Sequence, residues 1–151
     1  MKTNLAILAT LSLLLQPTFA HEGVELGPNG GRILELSENE TMHAEVTVAD
    51  GAFRIALLDK DMKPVAINTQ TLTATSADRS NPQKLDVTAA DNHFMVPMLE
   101  GDDFWIILQF RESESAKKVT ARLHYDASIC EACDAPEWLC KCKPDADKKA
   151  E

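Results

Sequence analysis

The chain is poor in basic residues and in the sequence signatures of enzymes. It has 15 lysines and arginines against 24 aspartates and glutamates, a formal net charge of -9. Phosphate binding rests on lysine and arginine, so this balance argues against nucleic acid and anionic lipid as partners. The sequence contains no GxSxG elbow, HExxH helix, P-loop or dinucleotide-binding glycine motif. We therefore do not expect an enzyme.

Long apolar runs are absent beyond the start of the chain. Residues 5–15 (LAILATLSLLL) follow Lys2 and precede Thr18 and Ala20, small residues at the positions that a signal peptidase reads. This arrangement is typical of a secretory signal peptide over residues 1–20. Its apolar run is roughly half the ~20 residues of a membrane-spanning helix, so we expect no stable membrane insertion. Cleavage after Ala20 would release a soluble periplasmic protein beginning at His21.

Helical periodicity is absent before residue 130, and alternation of apolar and polar residues takes its place. TMHAEVTV (41–48) and AFRIALL (52–58) alternate in this way and flank the turn dipeptide Asp50-Gly51. About eight such strands predict an all-β fold, an antiparallel β-sandwich of immunoglobulin-like or cupredoxin-like topology over residues 21–126. The other six are GRILEL, VAINTQTLTAT, KLDVTAA, HFMVPM, DFWIILQF and KKVTARLHY. DFWIILQF is apolar on both faces, which favours a central strand.

Cysteine is absent from the first 129 residues and then occurs four times, in CEACDAPEWLCKCK (130–143). Residues 127–151 therefore form a Cys-rich C-terminal extension. Its cysteines have the spacing CxxC, six residues, CxC. Asp134, Pro136 and Glu137 are typical of a helix start, so we expect one or two helical turns running through Cys142.

Two interpretations of the four cysteines stay open. In an exported protein an even number of cysteines usually pairs, which favours two disulfides joining Cys130 or Cys133 to Cys140 or Cys142. Pairing within CxC would close a small, strained ring. Alternatively, the same four thiolates can surround one tetrahedral ion, and zinc or cuprous copper suits such a set.

Histidines provide a second group of candidate metal ligands. His43, His93 and His124 fall on the polar faces of predicted strands, His43 beside Glu45 and His93 near Met95. Imidazole and thioether ligands suit copper, zinc or nickel, although a single surface histidine is usually only solvated. If His21 is the first residue after cleavage, its amine and ring could chelate cupric copper together with a second histidine. A copper oxidoreductase built on that site is a remote third interpretation.

Residues 21–66 carry a family resemblance. HEGVELGPNGGRILEL, then MHAEVTV and FRIALLDKDMKPV, resemble a family of small bacterial periplasmic β-sandwich domains that are often encoded with, or fused to, periplasmic parts of heavy-metal efflux systems. The resemblance implies that His21 and His43 are metal-linked, with Glu45 alongside. The family's leader has several histidines, whereas HEGVEL has one.

These observations predict a periplasmic accessory protein of metal efflux or homeostasis that binds copper or zinc. An envelope metal-efflux protein would be its partner. The expected ligands are His21, His43 and Glu45, with Cys130, Cys133, Cys140 and Cys142 as a possible second site. The alternative is a non-catalytic envelope interaction module whose tail is stapled by disulfides.

Overall fold

Ten β-strands form two antiparallel sheets in the computed structural model, which describes residues 24–90 and 92–142. The predicted signal peptide and His21 lie outside the described residues. In chain order the strands are β1 Arg32–Glu35, β2 Met42–Ala49, β3 Ala52–Asp59, β4 Pro64–Val65, β5 Thr71–Ser76, β6 Lys84–Leu85, β7 Thr88–Ala90, β8 His93–Pro97, β9 Asp103–Arg111 and β10 Val119–Asp126. Among the described residues, no helix has the length and apolar character needed to span a membrane. The predicted all-β, two-sheet fold is confirmed.

The first sheet has the strand order β1-β2-β3-β8-β7, with β4 paired to β3, and the second has the order β10-β9-β5-β6. The hairpin predicted around Asp50-Gly51 joins β2 to β3, with Ala49 opposite Ala52. Asp50 and Gly51 have φ of 53° and 74°. These positive values are what the turn between two twisted strands requires.

Two predicted strands are each divided in two, which is why ten strands are observed and not eight. VAINTQTLTAT contributes to β4 in the first sheet and to β5 in the second, and KLDVTAA divides between β6 and β7 in the same manner. The chain crosses from one sheet to the other within each segment. An apolar pattern that continues through such a crossing does not show where the hydrogen-bonding partner changes.

The core lies between the sheets and is formed by alternate residues of the central strands. Phe53, Ile55 and Leu57 of β3 are buried there as predicted. Strand β9 pairs with β10 on one side and β5 on the other, so the prediction of a central strand from DFWIILQF is confirmed. Its outer face is nevertheless accessible, because Trp105 is 47% exposed.

Candidate metal centre

The Cys-rich segment leaves β10 and folds back against the end of the sandwich. The Ala127 amide donates to the Asp102 carbonyl at 2.7 Å, and the Glu137 amide donates to the Ser128 carbonyl at 2.8 Å. Ile129 and Pro136 form an antiparallel bridge. These backbone contacts make a closed hairpin-like loop, so the two ends of the cysteine motif are brought together.

The helix in this segment is shorter than predicted. A 3-10 helix spans Glu137–Leu139, it begins after Pro136, and no side chain caps it. Asp134, the predicted N-cap, has φ of 56°, and its amide donates to the Cys130 carbonyl at 2.9 Å. Asp134 therefore closes the turn after Cys130, and the prediction of a helix from Asp134 through Cys142 is wrong.

Trp138 attaches the segment to the sandwich core. It is 6% exposed, and its ring centroid lies 5.4 Å from that of Tyr125 and 6.2 Å from that of Phe53. Arg32 Nη1 donates to the carbonyl oxygens of His124 at 3.2 Å and of Trp138 at 3.4 Å. The first strand, the last strand and the Cys-rich segment are thus joined at one point.

The four cysteine sulfurs converge on one point in space. Their Sγ atoms all lie within 4.8 Å of one another. Cys133 Sγ and Cys140 Sγ are 3.6 Å apart, and Cys130 Sγ and Cys142 Sγ are 4.0 Å apart. Zinc–sulfur bonds of about 2.3 Å place the corners of a tetrahedron about 3.8 Å apart. The observed sulfur spacing therefore fits a tetrahedral ion without a large movement of the backbone.

This group is the one candidate of its kind within the described ranges. Across residues 24–90 and 92–142, no other three histidine, cysteine, aspartate or glutamate side chains approach closely enough to share an ion. The four cysteines are free thiols in the structure. Neither of the two disulfides that one interpretation of the sequence favoured is formed in the structure.

The site has a buried side and an open side. Cys130 and Cys140 are 8% and 7% exposed, whereas Cys142 is half-buried and Cys133 is exposed. A hydrogen bond from the Ala135 amide lowers the pKa of Cys133, and the neighbouring thiols add to this effect. Thiol hydrogen bonds with Cys133 and then Cys140 raise the pKa of Cys142 to about 12. The surroundings therefore favour the thiolate at the exposed Cys133 and disfavour it at Cys142.

The pKa of Cys140 is also raised above its usual value. The Cys142 amide, which donates to the Cys140 sulfur at 3.3 Å, favours the thiolate. This effect is outweighed by the hydrogen bond with the Cys130 thiol, by burial and by the contact with Cys133. A bound cation would offset the cost of bringing these thiolates together, since metal ligation deprotonates a thiol outright.

Glu45, predicted on an outward polar face, is 1% exposed. Its Oε1 accepts hydrogen bonds from the amides of Asn29 at 2.6 Å and Gly31 at 3.1 Å, and its Oε2 accepts one from Asn29 Nδ2 at 2.7 Å. A Cβ on Gly27 would lie 2.6 Å from the Glu45 carboxyl carbon. The GPNGG turn is therefore folded over this carboxylate, and its described contacts are with the turn.

His43 is also buried, at 7% exposed, so the prediction that its polar face is exposed to solvent is wrong. Its Nε2 lies 3.2 Å from Glu35 Oε2, while its Nδ1 is buried without a hydrogen-bond partner in the described part of the chain. A surface cavity of about 490 Å³ adjoins the ring and is also lined by Val24, Glu40 and Met62. His43 and Glu45 both face away from the inter-sheet core. They are buried because the leader packs over this side of β2.

The other histidines are separate from the cysteine site. His124 stacks on Trp105 with ring centroids 4.2 Å apart, and its Nε2 lies 2.7 Å from Asp103 Oδ1. His93 begins β8 and is paired in register with Ala56. The structure therefore does not bring the strand histidines together around one ion in the described residues.

Comparison of the chain with protein-family models, with curated proteins and with solved structures finds no match. The fold and the cluster define the class of protein: an antiparallel β-sandwich that carries four cysteines close enough together to hold a metal ion. The resemblance of residues 21–66 to periplasmic domains of efflux systems stays a prediction. Sequence reasoning missed Arg32 and Trp138 as the anchors of the cluster. Trp138 could have been found as a large apolar residue in a segment otherwise rich in charge.

Proposed function

We propose that the protein binds a copper or zinc ion through Cys130, Cys133, Cys140 and Cys142. The convergence of four sulfurs within 4.8 Å of one another carries this proposal. Thiolates ligate both zinc and cuprous copper, so the donor set supports either ion. Because the protein would supply all four ligands, no coordination position is left for a substrate. This supports sequestration or delivery of the ion and argues against catalysis.

The proposed setting is the periplasm, where the protein would act as an accessory to metal efflux or homeostasis. The signal-peptide pattern of residues 1–20 supports export. The resemblance of residues 21–66 supports an envelope efflux protein as the partner. The exposed position of Cys133 supports delivery, because an incoming ligand can reach the ion at that corner.

His43 is a second candidate ligand, and one observation favours it. Its Nε2 and the Glu35 carboxylate lie together at the cavity beside the leader. Imidazole with a carboxylate nearby is a common arrangement in zinc and copper sites. We propose that His43, with His21 from the leader, is a weaker site that is distinct from the cysteines. Glu45 would support this site by holding the leader turn.

The test is metal stoichiometry in the exported protein. Native mass spectrometry would be performed on the wild type, on a variant with all four cysteines changed to serine, and on His43→Ala, each incubated with zinc or with cuprous copper under a reducing atmosphere. We expect one tightly held ion in the wild type and in His43→Ala, and none in the cysteine variant. If His43→Ala loses the ion and the cysteine variant keeps it, the histidine site is the metal-binding site of the protein.

The same mass spectra test the export of the protein and the alternative function as an envelope interaction module. A mature mass that begins at His21 is expected if residues 1–20 are removed during export. A wild-type protein that takes up neither ion while its thiols are reduced would refute metal binding. Such a result would leave the envelope interaction module as the better explanation of the fold.

A further inference from the structure

Two sulfur–sulfur contacts divide the four cysteines of the cluster into two pairs. Cys133 lies 3.6 Å from Cys140, and Cys130 lies 4.0 Å from Cys142. Each cysteine belongs to one of these pairs, and the first pair is nested inside the second along the chain. A disulfide needs sulfurs about 2.05 Å apart, so each pair must close by about 1.5–2 Å. Side-chain rotation can supply movements of this size.

The loop that carries the pairs is held by contacts that do not involve sulfur. The bridge between Ile129 and Pro136 and the hydrogen bond from the Glu137 amide to Ser128 fix its two sides. Trp138 is buried in the core, and Arg32 donates to its carbonyl. The sulfurs can therefore change their bonding while the loop stays docked on the sandwich.

Access to the two pairs is unequal. Cys133 is exposed and Cys142 is half-buried, whereas their partners Cys140 and Cys130 are buried. Each pair thus has one outer and one inner sulfur. A small reagent in solution meets the outer sulfur first, and the inner sulfur is then in place to resolve the product.

We propose that oxidation by a low-molecular-weight disulfide empties the metal site by closing these two pairs, with the fold retained. This inference rests on the proposed metal binding by the four cysteines. The Cys133 thiolate attacks the reagent RSSR, which forms a mixed disulfide and releases one RS⁻. The Cys140 thiolate then displaces the second RS⁻ and forms the Cys133–Cys140 bond. Cys142 and Cys130 react with a second RSSR in the same way.

The electrons and atoms balance over the two steps. Four protein thiolates become two disulfides, and two RSSR molecules become four RS⁻. Four electrons pass from the cysteines to the reagent. The ion loses its four ligands and leaves with its charge unchanged. The cluster therefore has two closed states, one with an ion and one with two nested disulfides.

The experiment follows metal release and disulfide formation in the same sample. The full chain is reduced, loaded with zinc alone, and treated with oxidised glutathione in the presence of a chromogenic zinc chelator. We expect one zinc ion released for every two disulfides formed. Peptide mapping without reduction should identify Cys130–Cys142 and Cys133–Cys140. Zinc that stays bound at full oxidant excess, or a Cys130–Cys133 bond, would overturn the proposal.

Two variants sharpen this test. Cys133→Ser removes the most exposed sulfur, and in the reduced, zinc-free protein we expect disulfide formation with oxidised glutathione to slow by about tenfold or more because reactivity follows access. The matched variant Cys140→Ser keeps the exposed thiol and should stop at a glutathione adduct on Cys133. In a Trp105→Phe background, the acrylamide quenching of Trp138 should be the same before and after oxidation. A large increase in quenching would show that the loop leaves the core and would refute retention of the fold.

Failure of the two proposals can be told apart. Reduced protein that binds no zinc before the oxidant is added contradicts the proposed function, and the inference about release falls with it. Protein that binds zinc but does not release it as disulfides form contradicts the inference alone. Release with the expected pairing supports both.

Discussion

Replacement of Glu45 by alanine distinguishes a ligand of a metal from a support of the leader turn. The carboxylate is 1% exposed and accepts three hydrogen bonds from Asn29 and Gly31. Glu45→Ala would leave the two backbone amides without their acceptor. The Gly31 amide is buried, and an unsatisfied buried donor costs about 1–3 kcal/mol, while each of the two part-buried hydrogen bonds from Asn29 contributes about 0.5–1.5 kcal/mol. We therefore expect a loss of about 3–5 kcal/mol in the free energy of unfolding. Glu45→Gln keeps the shape and one carbonyl oxygen, and should lose about 1–2 kcal/mol.

The assay is urea unfolding followed by circular dichroism at constant pH and with metal absent. Glu100→Ala is the matched control, because Glu100 is exposed, and its effect should stay within about 0.5 kcal/mol. In thermal unfolding, Glu45→Ala should lower the melting temperature by about 10–20 °C. Zinc stoichiometry should not change. If Glu45→Ala loses the ion and less than about 1 kcal/mol of stability, Glu45 is a ligand and its role as a support of the turn is refuted.

Trp138→Ala should cost about 3 kcal/mol of stability because Trp138 is buried, whereas exposed Trp105→Ala should cost about 1 kcal/mol or less, by urea unfolding. Zinc binding must displace the proton of Cys142, whose pKa is raised to about 12. The affinity for zinc should therefore increase about tenfold for each unit of increase in pH and for each proton released. Competition with a zinc chelator between pH 6 and pH 8 would measure this dependence. Gly31→Ala would bring a Cβ to 2.4 Å from the Val46 carbonyl oxygen, so thermal unfolding should show a loss of about 1–3 kcal/mol. A wild-type melting curve for Gly31→Ala, pH-independent zinc affinity, or equal effects of the two tryptophan variants would contradict these expectations.

Much of the fold could be predicted from the sequence because strand periodicity is a local property. Apolar alternation identified the hairpin of β2 and β3, and an apolar run on both faces identified β9 as central. The crossings between sheets could not be predicted, since pairing partners are set by contacts distant in the chain. The alternation in β2 also led to the wrong prediction that His43 and Glu45 are exposed to solvent. A polar residue opposite the core face faces water only if nothing covers that face, and in this protein the leader covers it.

The candidate site could be predicted in composition but not in geometry. The spacing of the four cysteines indicated that they could share an ion, yet it allowed disulfides equally well. Their closeness depends on the turn at Asp134 and on the burial of Trp138. The positive φ of Asp134 has no strong sequence marker, since aspartate is common both at helix starts and in turns. The helix prediction failed for this reason.

The contact between Arg32 and Trp138 predicts an order of events during folding. It joins residues 106 positions apart, from the first strand to the last described segment. A contact of such long sequence separation has a large loop-closure cost, which is lowered once the intervening strands have paired. We therefore expect the sandwich to form first and the four sulfurs to come together last. During refolding, the β-strand signal in circular dichroism should recover before zinc is taken up, as measured with a chromogenic chelator. Zinc uptake as early as strand formation would contradict this order. A chain whose sandwich is not yet formed would then hold no ion, so an occupied site would mark a completely folded protein.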